Sequence, residues 1–366
     1  MARWAAWPGS GSPPVRWARV PGKPFLPWRR CCCSPVSRPD GQEPSASRIS
    51  GWYTGSTERQ WNRGKPFPTP HSPTGRSPIP AVKATSTPTA NKRILMALTF
   101  CSFSSGSSGN CYLIKSEETA LLVDAGISLK RIREGLAASG TPEEAVSAVL
   151  VTHEHSDHIR SIGAVGGKRG LGTPRIYANA GTWNAISKLP AYLGMEIPGQ
   201  TTFVTGEDFT IGDITVHSFP VSHDAAEPVG YSFRCGESCV AIITDTGVVT
   251  PEIYEEACRA NLLVLESNHD VEMLKFCRYP WFLKQRILGE SGHLSNELAA
   301  QTVLRMLQEG KAPARIALAH LSRENNFPEM AWQTMKNVLE EEDYTVGRDV
   351  AICTLVRDEI SEVMFV

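Results

Sequence analysis

Six apolar segments of this chain run into an acidic residue or a histidine. Asp124 ends "LLVD", His153 follows "VLVT", His223 ends "SFPVSH", and Asp245 ends "AIITD". Glu266 and His269 close "LLVLESNH", and His320 closes "IALAH". Short apolar runs of this kind read as buried strands. An isolated histidine at one strand end is most simply a satisfied loop residue. So many donors at equivalent positions imply that the strand ends converge, because open α/β sheets place their ligand sites beyond the carboxyl ends of the strands.

The segments around these strands point to an α/β (α+β) chain. "CYLIKS" and "TALLVDAG" read as consecutive strands, followed by the helix "SLKRIREGLAASG" with its terminal glycine. "VSAVLVTH" is a strand, and a helix begins at "HIRSIGAVGG". "RIYAN", "TTFVTG", "DFTIGDITVHSFPVSH", "VGYSFRC", "CVAIITDTG", "LLVLESNH" and "RIALAHLS" supply further β structure. "GTWNAISKL", "TPEIYEEACRAN" and "SNELAAQTVLRMLQEG" supply helices, the last opened by a Ser/Asn cap. Two β-rich halves with helices between them suggest two sheets face to face, covered outside by helices.

Residues 1–95 differ from the rest. They hold 16 of the 26 prolines, and 15 lysines and arginines against Asp40, Glu43 and Glu58. Such a segment cannot bury enough apolar surface to offset its ordering entropy. We read it as a disordered Pro/Arg-rich extension and 96–366 as one folded domain. The favoured origin is translation upstream of a start at Met96, and a basic nucleic-acid-binding arm is the alternative. The Pro density argues against an amphipathic targeting helix, and neither a signal-peptide core nor a transmembrane run is present. Cys31, Cys32 and Cys33 lie in the extension, and the other seven of the ten cysteines are scattered. Cys235 and Cys239 bracket a hairpin turn without a second pair to make a zinc ribbon. Free thiols and a cytoplasmic protein are the expectation. The whole chain has a net charge of −1, so 96–366 are acidic by about −13. A nucleic-acid partner then needs a local basic groove or metal ions.

The densest cluster is "LVTHEHSDHIRS", with His153, His155, Asp157 and His158 within six positions. Imidazole and carboxylate without cysteine suit Zn, Mn or Fe. The helical H-E-x-x-H arrangement is excluded because Asp157 occupies the position of its second histidine. In an extended H-x-H, alternate residues face the same way, so His153 and His155 can face one metal. Asp157 and His158 follow the turn and can face another.

With Asp124 in "LLVDAG", His223 in "PVSHD", Asp245 in "ITDTG" and His320 in "LAHLSREN" following in order, the chain resembles the metallo-β-lactamase superfamily over residues 97–366. The resemblance implies a four-layer αββα sandwich. It implies that His153, His155 and His223 bind one metal, that Asp157, His158 and His320 bind a second, and that Asp245 bridges them. Asp124 would orient the ligand loop from behind. "FCSFSSGSSGNCYLI", "LESNHDVEML", "YPWFLKQRILGESGHLSN" and "LAHLSRENN" are similar to the WalJ/YycJ family. That implies a 5′-to-3′ exonuclease on double-stranded DNA ends with two divalent ions, Mn, Zn or Fe. Glu266, His293 and His320 also resemble the additional motifs of the β-CASP nucleases. Only 47 residues separate His269 from Ala317, too few for the β-CASP insertion.

Two cations roughly 3.5–4 Å apart give a bound hydroxide near neutral pH and neutralise charge on a phosphorane. Asp157, Glu266, His293 and His269 are the catalytic candidates beside that pair. His293 is the general-acid candidate, with helix capping as its alternative, and His269 is a second candidate for the same role. Ser105, Ser107, Ser108 and Asn110 of the Ser/Gly loop, with Ser322 and Arg323, could hold phosphate. An ordinary turn explains the loop equally well. Arg278, Lys284 and Arg286 read either as DNA-backbone contacts or as solvated charges. A glyoxalase II-like thioester hydrolase, a ribonuclease Z-like processor and a cyclic phosphodiesterase share much of the motif set. A β-lactamase is disfavoured by His158, and a non-cutting binder by the filled ligand positions.

Overall fold

The computed structural model describes residues 98–366. The expectations for residues 1–95 and for a start at Met96 lie outside them. Six strands make most of one sheet: β1 (Thr99–Ser104), β2 (Cys111–Lys115), β3 (Ala120–Val123), β4 (Val146–Leu150), β5 (Arg175–Asn179) and β6 (Gln200–Phe203). The other sheet comprises β7 (Asp208–Ile211), β8 (Ile214–Pro220), β9 (Val229–Cys235), β10 (Ser238–Ile243), β11 (Leu262–Glu266), β12 (Arg315–Ala319) and β13 (Ala351–Thr354). A short β14 (Met364–Phe365) returns to pair with β1. The orders are β14-β1-β2-β3-β4-β5-β6 and β13-β12-β11-β10-β9-β8-β7.

Side-chain alternation along the strands builds three apolar layers. Leu121 and Val123 of β3 face the second sheet and meet a cluster with Tyr231, Val240, Ile242 and Val264. Leu122, one residue out of phase, joins Ile132, Leu136, Trp183 and Ile186 on the outer face. Those last four come from α1 (Leu129–Ala138) and α4 (Ala180–Lys188), separated in the chain by α2 (Ser156–Ile159) and α3 (Ile162–Val165). Ile243, Leu265 and Leu318 of the second sheet pack outward. They meet α5 (Pro251–Arg259), α8 (Asn296–Gln308) and α9 (Pro328–Glu340). Between α5 and α8 lie two short helices, α6 (Val271–Phe276) and α7 (Trp281–Leu288). The four-layer αββα sandwich is therefore present.

Local chemistry fixes the helix starts. Ser128, Thr250 and Ser295 each accept a hydrogen bond from the backbone N–H three residues on. The helix expected at His158 begins two residues earlier and splits into the single turns α2 and α3. Ser161 causes the break. Its N–H donates to the Ala125 carbonyl at 2.8 Å and its hydroxyl to Ile127 at 2.6 Å, so the chain is tied to the β3–α1 loop.

Strand directions create the site. β3 and β4 are parallel, and β10, β11 and β12 are parallel. Two antiparallel steps, β8 to β9 and β9 to β10, return β8 to the direction of β10. All six strands that end in or run into Asp, Glu or His thus present their carboxyl ends to the site.

Candidate metal centre

Three of these strand ends carry an unusual backbone. Asp124, Asp245 and His320 have φ of 61°, 59° and 55°, the left-handed region that non-glycine residues seldom enter. Such a conformation costs on the order of 1–3 kcal/mol per residue and persists where the surroundings over-determine it. Here it turns the chain abruptly out of β3, β10 and β12. The donor side chains then face the space between the sheet edges.

The donors gather into two sets. His153 Nε2 is 3.0 Å from His155 Nδ1, which is 3.2 Å from His223 Nε2. Beside them, His158 Nε2 is 3.6 Å from Asp157 Oδ2, and His320 Nε2 is 3.7 Å from the same oxygen. Asp245 lies between the sets, with Oδ2 3.4 Å from His158 Nε2 and Oδ1 3.8 Å from His223 Nε2. His153 and His155 converge from an extended chain, and Asp157 and His158 from the first turn of α2.

Hydrogen bonds orient the imidazoles. His158 Nδ1 donates to Asp124 Oδ2 at 2.7 Å, and His223 Nδ1 donates to the Gly292 carbonyl at 3.1 Å. The Thr152 hydroxyl donates to Asp124 and accepts from His153 Nδ1 at 3.0 Å. His320 Nδ1 donates to Glu266 Oε1 at 2.9 Å. Four rings are therefore anchored through Nδ1 and turn Nε2 inward, the usual arrangement behind a metal ligand. His320 Nε2 and Asp245 Oδ2 are buried without a hydrogen-bond partner. Such atoms are costly unless something satisfies them. His158 Nε2 is 3.1 Å from the Asn110 amide nitrogen, and an ion on His158 would displace that contact.

Charge points the same way. Asp124, Asp157, Asp245 and Glu266 converge here, all but Asp157 fully buried. Burial opposes charge on His158, yet Asp124, Asp245 and Asp157 outweigh it and push the imidazole up to about 9. His320 is raised for the same reason, against burial, by Asp245, Asp157 and Glu266. Burial alone would raise Asp157, but His158 and His320 hold it well below the usual carboxylate range. His153 is lowered by burial and by the neighbouring rings. The surplus of negative charge and the unsatisfied donor atoms fit divalent cations.

The remaining candidates separate by geometry. Glu266 is wholly buried and shares Oε1 between His320 Nδ1 and His293 Nδ1, the latter at 2.8 Å. Its other oxygen accepts from the Thr246 and Leu294 N–H groups. It holds both rings and lines neither of the clefts over the donors. His293 lines the cleft over the donors, with Ser107, His155, Asp157, His223, Asp245, Arg286 and His320. That cleft measures about 290 Å³ and continues into a smaller one of about 170 Å³ that includes Tyr279, Leu283 and Ser322. His269 is buried outside both clefts, its ring nitrogens without partners. Burial lowers it to about 4, so it is neutral.

The Ser/Gly loop is largely buried. Only Ser107 reaches the clefts. Ser105 is buried, bonded to Tyr112 and accepting from the His320 N–H. Asn110 accepts from the Gly106 N–H, and the Ser108 hydroxyl is buried. Arg323 is exposed and lines neither cleft. Lys284 is neither solvated nor free for DNA, because its ammonium donates to the Lys275 and Cys277 carbonyls. Arg286 pairs with Asp224 at the cleft wall. Thr152 and Asp224 were not legible as site residues, since a lone Thr and an Asp beside a His carry no pattern of their own.

Layered fold and His/Asp centre together define a metal-dependent hydrolase. A family described as "Beta-lactamase superfamily domain" matches residues 119–320. The exodeoxyribonuclease YycJ of Bacillus anthracis is 44% identical over 254 residues, 69% of this chain and 93% of that protein. The exodeoxyribonuclease WalJ of Streptococcus pneumoniae is 43% identical over 249 residues, 68% and 90% of the two chains. The crystal structure of the metallo-beta-lactamase fold protein YhfI from Bacillus subtilis matches with a TM-score of 0.52 at 17% identity. It covers 72% of this chain and 99% of that one, and at this identity it speaks for the fold alone. The chain belongs to the metallo-β-lactamase superfamily, in the family of the YycJ and WalJ proteins.

Proposed function

We propose that the chain is a metal-dependent phosphodiester hydrolase, an exonuclease that digests double-stranded DNA from its ends in the 5′-to-3′ direction. The observation that carries this reading is the pair of donor sets meeting at Asp245. The exodeoxyribonuclease names of two relatives above 40% identity support the substrate. In this reading the catalytic domain is 96–366, and protein begun at Met96 retains solubility and nuclease activity. Among the described residues no helix is long and apolar enough to cross a membrane.

His153, His155 and His223 would hold one ion, Asp157, His158 and His320 the other, and Asp245 both. Manganese, zinc or iron would acidify a water and neutralise charge on the phosphate. The chain's own groups do the rest. Asp124 and Thr152 fix the tautomers of His158 and His153. Asp157, its side chain 21% exposed, accepts a hydrogen bond from the attacking water. Glu266 accepts a hydrogen bond from the Nδ1–H of His293, which directs Nε2–H to protonate the departing alkoxide or to hold a non-bridging oxygen. Ser107 and Arg286 stand at the cleft wall to meet the phosphate backbone.

The test incubates metal-reconstituted protein with end-labelled duplex DNA, single-stranded DNA, RNA and an acylated glutathione. Mononucleotides released progressively from the 5′ end of the duplex are expected. Thioester hydrolysis with intact DNA would reassign the site, and preferred cleavage of RNA would overturn the choice of nucleic acid.

A further inference from the structure

Three of the most exposed apolar side chains lie close together in sequence, beside the cleft. Phe276 is 84% exposed, Trp281 67% and Phe282 71%, and all three belong to the α6–α7 hairpin. Leu288 at the far end of α7 is exposed as well. Large aromatic rings held in water mark a binding surface. α7 has two faces. Leu283 and Ile287 line the smaller cleft together with Tyr279, His223 and His293, while Trp281, Phe282, Gln285 and Leu288 point to solvent. The hairpin is braced from within. Lys284 is buried and donates to the Lys275 and Cys277 carbonyls at 2.6 and 2.8 Å, closing the turn between the helices. Asp270 caps α6, and Pro280 presets the entry to α7. The rings are thus displayed on a fixed support.

Charge says what covers them. Of the cations in residues 271–288, Lys275 pairs with Glu272, Arg286 pairs with Asp224 and Lys284 is turned inward, while Arg278 is exposed and in no ion pair among the described residues. Arg278 lies between Phe276 and Trp281 in the chain, and Arg286 follows one turn after Phe282. Exposed aromatic faces with an unpaired arginine among them suit stacked nucleobases and their phosphates. They do not suit a purely apolar partner. The cleft over the donors measures about 290 Å³ and is lined by Ser107 and Arg286 beside the His/Asp set. Rings that stack on the terminal bases would open a duplex end and free its terminal linkage to approach the donors, at the unstacking cost that any enzyme pays for taking a nucleotide out of the stack.

We infer that Phe276, Trp281 and Phe282 form a stacking wedge that receives the terminal bases of a duplex, parts the strands and lets one backbone pass along Arg286 into the His/Asp cleft. This rests on the nuclease reading above. The occupant is nucleic acid, and a second copy of the chain is the competing occupant.

The test uses full-length Trp281→Ala, Phe282→Ala and the triple variant with Phe276→Ala. The residues are exposed, so folding is preserved. Each variant is given a blunt duplex, the same duplex with several unpaired nucleotides at the 5′ end, and bis(p-nitrophenyl) phosphate. Molar mass is measured by light scattering. Stacking energies per base predict that the triple variant loses about tenfold or more on the blunt duplex. The frayed duplex and the small ester are cut at close to wild-type rates, and the molar mass is unchanged. Equal losses on blunt and frayed ends, or no loss on either, overturn the wedge and leave the nuclease reading standing. A fall in molar mass assigns the patch to a second copy and also overturns it. Wild type that cuts no DNA yet hydrolyses the ester overturns both readings.

Discussion

His293 and His320 share one oxygen of Glu266, and their roles separate on substitution. His320 turns an unpartnered Nε2 toward Asp157. His293 faces the cleft. His293→Ala should keep both ions and lose about 10²–10⁴-fold in single-turnover cleavage, the range of a general acid. His320→Ala should lose an ion with its activity. A His293→Ala protein that melts lower but turns over normally would mark a packing role instead. Asp124 gives a second test at this scale. Asp124→Asn keeps the shape but places an amide against His158 Nδ1, so the ring is no longer held in one tautomer. Affinity at the second site should fall about 10–100-fold, read by competition with a chelating dye. Unaltered affinity would show that the Asp124–His158 bond does not prepare a ligand.

Loops rather than strands hold the donors in register, and one glycine shows how closely. A Cβ on Gly126, in the turn after β3, would lie 1.6 Å from the Asp157 carbonyl oxygen. That carbonyl accepts from the Asn110 N–H, and the Gly126 N–H donates to the Asn110 carbonyl. Gly126→Ala must push the α2 turn outward. It should cost about 3 kcal/mol, the upper end of ordinary overpacking, and reduce ion content, measured by melting and elemental analysis. A stable, fully loaded Gly126→Ala protein would disprove this stitching. These contacts also explain what the sequence could and could not disclose. The donors were legible because most of them close a run of apolar residues and the rest crowd within five positions of His153, so strand and ligand are read together. Ser105 and Asn110 were not, because a Ser/Gly-rich stretch looks alike whether it faces phosphate or is folded beneath His158 and His320. α6 and α7 were left unassigned because "FCRYP" interrupts two helices too short to show a period. The break between α2 and α3 was hidden in two hydrogen bonds of Ser161, which depend on the distant β3–α1 loop.

At the scale of the whole molecule, two seven-stranded sheets each bring part of the centre to a shared edge. The first contributes Asp124, His153, His155, Asp157 and His158, the second His223, Asp245, Glu266 and His320. Asp245 is the residue through which the sets meet, so Asp245→Asn should weaken both sites where Asp157→Ala weakens mainly one. The central claim is that two ions per chain, held across the sheets, make a nuclease. It is tested most directly by titrating manganese into metal-free protein while following mononucleotide release from an end-labelled duplex. The account predicts that the rate climbs with the second equivalent and levels at two ions per chain. Full activity reached at one ion per chain, with no change on adding more, would contradict it.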